Sequence, residues 1–552
     1  MKIKCRQEDQ ERGIIVQEVN QFFTTLSIGY NRLEFFTFLL LFFCIYFILP
    51  SKHHLKLIWI LAGNIFFYLQ SGFAALFIIL MTALVVYTAS RIMERIYARF
   101  DLEKKKYSAK EQILLLKTYK RKSIKVLIPA IALILLSLAF VKICRLLGYE
   151  TVTSFQNFRL WENIIVPLGI SYYSLSAIGY LLDIYWRKVK PERNFLYLVA
   201  AMTYFPIIVQ GPISKYPKLM EQFKSLPSFD YKRVTYGIQL ILWGLFQKLV
   251  ISDRLLIFSN SIFDKPSNYY GVEIMVALFF SLLQLYTDFN GCMNIVQGVA
   301  NIMGVHLEKN FNQPFFAKSG ADYWRRWHST LGGWFRDYIY LPIYMNPVYM
   351  KTANRVKKRY GKDVGQLFVT ASISCIIWIL TGFWHGTGWN YVAWGAYWYA
   401  IIVLEEATSK FWGNIRKTLH IDEKRKYYTV LQSIKMFFIA EIGRIWTIGG
   451  DLQGCEIIWR QMLSEIRPWV LFDGSIYSHG LDRKNFQLAL LSIMVLWLVD
   501  YAHEKQIKIR DVISSQPLAV RWVIYYIAVF SIIIFGIYGL DYDAASFVYG
   551  GF

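Results

Sequence analysis

Residues 367–390 read Leu367-Phe368-Val369-Thr370-Ala371-Ser372-Ile373-Ser374-Cys375-Ile376-Ile377-Trp378-Ile379-Leu380-Thr381-Gly382-Phe383, followed directly by Trp384-His385-Gly386-Thr387-Gly388-Trp389-Asn390. The run from Leu367 to Phe383 carries no charge and approaches the roughly 20 apolar residues that cross a bilayer. It ends on an imidazole. A titratable group at membrane depth is costly and marks a chemical site or a pathway more often than decoration.

Working outward, the same signature recurs along a 552-residue chain that is 55% hydrophobic and 18% aromatic. Apolar runs lie at 34–50, 57–72, 74–91, 124–146, 163–184, 195–213, 235–256, 271–289, 364–382, 390–406, 432–449, 485–502 and 520–540. They predict an all-α, polytopic membrane protein of roughly 11–13 transmembrane or re-entrant helices. Two runs are irregular: Pro206, Gly211 and Pro212 interrupt 195–213, and Glu441 and Arg444 load 432–449. Broken segments are tolerated at that depth only where protein buries them or a wet cavity lines them.

The net charge of +23 would suggest nucleic acid in a soluble protein. Here the cations lie between spans, so no nucleic-acid partner is implied. Asp101 to Lys125 holds Lys104, Lys105, Lys106, Lys110, Lys117, Lys120, Arg121, Lys122 and Lys125, which reads as a cytoplasmic loop facing anionic lipid. Counting back three spans puts the start of the first outside. Residues 1–30 form a polar N-terminal extension with no apolar core of signal-peptide type, and 31–552 read as one membrane domain. The six cysteines (5, 44, 144, 292, 375 and 455) show neither a Cys-x-x-Cys pair nor a Cys/His cluster at metal spacing, so no metal is expected. No phosphate-binding Gly-rich loop is present either, which argues against an ATP-driven pump.

Chemistry concentrates in residues 286–400. Asp322-Tyr323-Trp324-Arg325-Arg326-Trp327-His328-Ser329 precedes Gly332-Gly333-Trp334-Phe335-Arg336-Asp337-Tyr338. On a helix from Tyr323 to Tyr338, His328 shares a face with Trp324, Trp327, Leu331 and Phe335, with Arg325 and Arg336 opposite. An isolated histidine is more often satisfied by a backbone carbonyl; a second tryptophan-flanked histidine, His385, turns the reading toward function. Gly386 and Gly388 predict a helix break there that leaves the imidazole facing a cavity. Imidazole is the side chain that titrates near neutrality, so it can take a proton from a hydroxyl. The His-x-x-x-x-Asp pattern of glycerolipid acyltransferases is absent at both histidines. His53, His54, His306, His420, His479 and His503 fall at predicted loops or span ends.

Several short motifs stand in a fixed order: Pro167-Leu168-Gly169-Ile170-Ser171-Tyr172-Tyr173 with Tyr180-Leu181-Leu182-Asp183; Phe205-Pro206 with Gly211-Pro212-Ile213; Gln247-Lys248 with Asp253-Arg254; Tyr286-Thr287-Asp288-Phe289-Asn290-Gly291; Asn310-Phe311-Asn312-Gln313-Pro314-Phe315; Asp322 to Pro342; Trp384-His385-Gly386; and Phe547-Val548-Tyr549. The ordered set resembles the membrane-bound O-acyltransferases (MBOAT), in particular the bacterial branch of alginate O-acetyltransferase and the D-alanyl teichoic-acid transferase. The resemblance implies a multi-helix domain around a central tunnel, with an activated acyl donor entering from the cytoplasm and the acceptor from outside. It gives His385 as the catalytic histidine and His328 as the second histidine. Ile343-Tyr344-Met345-Asn346 departs from the Gly-Gly that often follows the Leu-Pro of this family.

The residues fit that chemistry. A thioester donor, such as acetyl-CoA or an acyl-carrier thioester, needs no bound cofactor if a base deprotonates the attacking hydroxyl, a contribution of about 10²- to 10⁴-fold. His385 is expected as base, with His328 orienting substrate or stabilising the oxyanion. Asn390 and Trp389 are expected at the acyl pocket, Arg325, Arg326 and Arg336 near donor phosphates, and Tyr286 and Asp288 as further substrate-binding candidates. Expected partners are membrane lipid, a polysaccharide acceptor and an extracytoplasmic acetyltransferase- or esterase-like protein, with a carrier protein in the D-alanyl alternative, at a bacterial cell membrane. D-alanyl transfer toward teichoic acid, and a transporter or flippase with histidines in a proton path, remain as alternatives.

Overall fold

The computed structural model describes residues 29–50, 53–147, 150–151, 163–164 and 166–538. The polar extension and the Phe547-Val548-Tyr549 motif lie outside the described residues, except for Gly29 and Tyr30. Nearly everything described is helical. A two-residue parallel pairing, Glu150 with Asn163 and Thr151 with Ile164, is the strand structure among the described residues. Six helical stretches are long and apolar enough to cross a membrane: His54–Lys106, Ala109–Cys144, Val272–Met303, Lys362–His385, Arg483–Glu504 and Leu518–Phe535. The first contains two helices, His53–Tyr68 and Gly72–Glu103, joined by a turn at Leu69–Ser71. The chain is a multi-pass membrane protein.

Two compact units emerge, one of Met1–Ile238, Val296–Leu307 and Tyr549–Phe552, the other of Gln239–Ile295 and Glu308–Val548. In the first, Tyr30, Phe35, Phe38, Phe42, Phe67 and Phe205 form an aromatic core. The interrupted run at 195–213 is helical only over Phe195–Thr203, too short to cross a bilayer, and then continues as buried irregular backbone. Such backbone needs internal partners. Asn64 supplies them: its Nδ2 donates to the Ala200 carbonyl and its Oδ1 accepts from the Phe205 amide, at 3.2 and 3.0 Å. The Tyr30 hydroxyl donates to the Phe205 carbonyl. Gly169, at φ 68°, lies so close to this segment that a Cβ would sit 1.7 Å from the Ile208 carbonyl oxygen.

Two expectations are corrected in this unit. The run at 163–184 becomes helical only at Ile170, because Pro167 and the left-handed Gly169 delay the start. Asp101 to Lys125 is not a loop: it is helical except around Tyr107 and Ser108. Lys, Glu, Gln and Leu are good helix formers, and they extend the span that follows. At 38 residues the Ala109–Leu146 helix is about 57 Å long, well beyond a hydrocarbon core of about 30 Å, so its basic end projects into water.

In the second unit, the Lys362–His385 and Trp389–Thr418 helices run antiparallel around a short break, with Lys410 paired to Asp363 at the far end. Their contact depends on two glycines. A Cβ on Gly382 would meet the Tyr391 carbonyl oxygen at 2.7 Å, and one on Gly395 the Trp378 carbonyl oxygen at 2.6 Å. Close backbone approach through small residues is how membrane helices gain packing where lipid supplies no hydrophobic drive. The Lys426–Ile448 helix is continuous despite its polar load, and Glu441 is buried within it. Leu518–Phe535 stands almost wholly exposed through Val523, Ile527 and Phe530, a lipid-facing surface.

Candidate active site

The expected helix from Tyr323 to Tyr338 is broken at the residue of most interest. Gly320–Arg326 and Ser329–Phe335 are separate short helices, followed by a wide turn over Arg336–Tyr340. His328 lies between them with φ 47° and ψ 48°, in the left-handed region. Non-glycine residues visit that region rarely, and such conformations gather at functional sites. The break keeps Trp327, His328, Leu331 and Phe335 buried, although not as one helical stripe.

Asn310 is the partner that defines His328. Its Oδ1 lies 2.9 Å from His328 Nδ1 and also accepts from the Thr330 amide and hydroxyl, at 3.3 and 2.8 Å. The Thr330 amide can only donate, so the atom facing it is the oxygen and the side-chain orientation follows. A carbonyl oxygen can only accept, so His328 Nδ1 carries the proton and Nε2 carries the lone pair. The Asn310 carbonyl accepts from the Ser329 amide, and its Nδ2 donates to Met293 Sδ. Phe289 stands edge-on to the imidazole at 4.9 Å. Burial, reinforced by the nearby His385, holds the His328 pKa well below the ordinary imidazole range. His328 is therefore neutral near pH 7. In this tautomer Nε2 is an acceptor.

His385 is the last residue of its helix, and Gly386 leaves in an extended conformation. A Cβ on Gly386 would overlap the Tyr391 ring, so glycine is required for the chain to turn back. The imidazole stands edge-to-face with Trp384 and Trp394, at 4.7 and 4.9 Å, and Trp384 lies 5.9 Å from His328. Trp384 thus lies against both histidines. Trp324, Trp378, Trp394, Trp398 and Tyr323 extend the aromatic wall, with Tyr323 stacked on Trp398 at 5.3 Å. The two tryptophan-rich contexts of the sequence form one cluster.

The remaining candidates separate. Asn390 is buried; its Nδ2 donates to the Trp446 carbonyl, and its Oδ1 accepts no hydrogen bond among the described residues. Trp389, its neighbour in sequence, is 73% exposed. Arg325 and Arg336 have side chains 75% and 66% exposed, beside Asp322 and Asp337. Arg326 is engaged with Glu504 and Asp322. Tyr286 donates to Asp500 at 2.8 Å and packs against Phe315 and Trp327, the residue before His328. Asp288 is bound at 2.7 Å to Lys248, which also meets Asp253 at 3.0 Å, all three fully buried. Among the described residues no group of three metal-ligating side chains occurs. Asn310, Thr330 and Glu504 were not singled out from sequence; Asn310 stood inside a quoted motif, but no spacing rule links it to His328.

Residues 189–353, which include His328, match the family described as MBOAT, membrane-bound O-acyltransferase family. The chain is similar to the probable alginate O-acetylase AlgI of Azotobacter vinelandii, at 27% identity over 56% of this chain and 56% of that protein. It is also similar to the peptidoglycan O-acetyltransferase of Helicobacter pylori, at 30% identity over 45% of this chain and 51% of the relative. The teichoic acid D-alanyltransferase of Streptococcus thermophilus matches at 25% identity over 48% and 61%. The chain spans little more than half the length of the first of these relatives.

Proposed function

We propose that this protein is a membrane O-acyltransferase that transfers acetyl groups from a cytoplasmic thioester donor to hydroxyls of an exported or cell-surface polysaccharide, with residues 286–400 as its catalytic region. The observation that carries the reading is the pair of buried imidazoles on Trp384, one of them locked by Asn310 as the Nδ1–H tautomer. In this mechanism His385 takes the proton of the acceptor hydroxyl. The oxygen attacks the thioester carbonyl, the tetrahedral intermediate expels the thiolate, and the thiolate takes the proton back from the His385 imidazolium. The C-terminal end of a helix carries partial negative charge, which complements the positive charge that His385 gains in that step. His328 Nε2 accepts a hydrogen bond and orients the substrate, and Asn390 Oδ1 is a second acceptor beside the base. Aromatic walls exclude water, so positioning supplies the remainder of the rate.

The names of the two O-acetyltransferase relatives favour acetate, and that of the third supports D-alanyl transfer from a carrier protein as the second reading. An extracytoplasmic partner that passes the acyl group to the polymer belongs to this reading, as does a bacterial cytoplasmic membrane. The test is base-labile acetate and D-alanine released from the surface polymer of cells with and without the gene. Loss of acetate alone supports the first reading, loss of D-alanine the second, and loss of neither removes both.

A further inference from the structure

We infer that Arg326 and Glu504 form a positioning pair that holds His328 in its working orientation; this rests on the role for His328 proposed above. Arg326 is a sequence candidate for donor phosphates, but its side chain is only 16% exposed and its Nε, Nη1 and Nη2 each already meet an acceptor of this chain. Nη1 and Nη2 meet Glu504 Oε2 and Oε1 at 2.7 and 3.3 Å, a two-pronged contact that fixes direction as well as charge. Nε meets Asp322 Oδ2 at 3.3 Å. Nη1 also reaches the carbonyl oxygens of Asn312 and Gln313, at 3.3 and 3.4 Å. The Arg326 carbonyl in turn accepts from the Asn312 amide at 2.9 Å.

Those contacts tie together two turns that would not hold alone. Gln313 and His328 both have left-handed backbones, at φ 45° and 47°, a conformation that persists in non-glycine residues only when surrounding structure imposes it. Arg326 is two residues before His328 and binds the segment that carries Asn310, the acceptor for His328 Nδ1. Glu504 lies at the end of the Arg483–Glu504 helix, one turn beyond Asp500, which holds Tyr286 beneath Trp327. One membrane helix thus holds the residues just before His328 at two points, Arg326 directly and Trp327 by way of Tyr286. Lysine cannot replace the arginine, because it lacks the planar fork. Arg325, exposed and with one 3.5 Å contact to Asp322, has no such role.

The test uses the full-length protein in lipid nanodiscs, with acetyl-CoA as donor and a short polysaccharide fragment as acceptor. Arg326→Lys and Glu504→Gln should each lower kcat by roughly ten- to a hundredfold, the scale of a misplacement near 1 Å, with donor KM changed less than about twofold. In a His328→Gln background neither should lower kcat further, because residues that act as a unit are not additive. Glu504→Asp, whose side chain is one methylene shorter and draws the carboxylate back from Arg326, replaces any variant that does not fold. Wild-type kcat per folded protein, a raised donor KM at unchanged kcat, or a full additional loss in the His328→Gln background would each overturn the pairing. Absence of acyl transfer in the unmodified protein would instead strike the functional reading itself.

Discussion

Asn310 and His328, eighteen residues apart, are joined by a 2.9 Å contact between Oδ1 and Nδ1, and the same oxygen accepts from the Thr330 amide. The amide fixes the asparagine, the asparagine fixes the tautomer, and the tautomer presents the Nε2 lone pair. Asn310→Ala removes the acceptor for a buried donor, a change that costs about 1–3 kcal/mol. Turnover should fall by roughly ten- to a hundredfold at unchanged expression. Asn310→Asp, which keeps an acceptor, should retain more activity than Asn310→Ala. Steady-state kinetics on the purified variants decides this, and equal activity of Asn310→Ala and wild type would remove Asn310 from the mechanism.

For His328 itself the accepting role makes a distinction between substitutions. His328→Gln can present an oxygen toward substrate, whereas His328→Ala presents nothing. The glutamine variant should therefore lose less turnover than the alanine variant. Equal and complete retention in both, with His385→Ala dead, would leave His328 as packing alone.

Stability should carry the signature of the same residue. The folded pKa of His328 is depressed, so in acid the unfolded chain binds a proton that the folded chain refuses. The unfolded state then holds more protons, and stability rises with pH up to the ordinary imidazole pKa of about 6.5, above which this group contributes no slope. The thermal midpoint should fall as pH drops below about 6.5, and His328→Gln should flatten that fall. An unchanged acid limb in the variant would contradict the burial argument.

The contact between the two helices that flank His385 can be tested at Gly395. A methyl there would meet the Trp378 carbonyl oxygen at 2.6 Å, and backbone cannot yield cheaply. Gly395→Ala should destabilise by about 1–3 kcal/mol, as overpacked cores do. Acyl transfer should fall with it because His385 shifts. A thermal midpoint equal to that of the wild type would show that the helices separate freely.

Sidedness has its own measurement. Single cysteines at Lys110 and Lys117, on the basic helical extension, should resist an impermeant maleimide in intact cells and react after permeabilisation. Labelling in intact cells would reverse the topology and the side from which the donor enters.

Much of this architecture was legible because apolar runs and helices share one length scale. The run from Leu367 to Phe383 became the Lys362–His385 helix, and Gly386 ended it as expected. The interruption around Pro206 was real, but only the structure shows Asn64 paying for it with two hydrogen bonds. Periodicity misled at Tyr323 to Tyr338, since helical spacing cannot reveal that His328 occupies a left-handed turn held from outside. Composition could not separate Arg326, engaged by Glu504, from its exposed neighbour Arg325. Trp389 and Asn390 are neighbours in sequence, yet one step along a helix start leaves Trp389 exposed and Asn390 buried. Long-range partners such as Asn310 and Glu504 leave no local spacing to read.

The central claim is that His385 is the base for acyl transfer. Its most direct measurement is base-labile acetate on the surface polymer of cells carrying His385→Ala, with protein level and membrane insertion matched to wild type. Acetylation should be abolished while insertion and expression remain near normal. Substantial residual acetylation at equal protein level would contradict it and take His385 out of the mechanism.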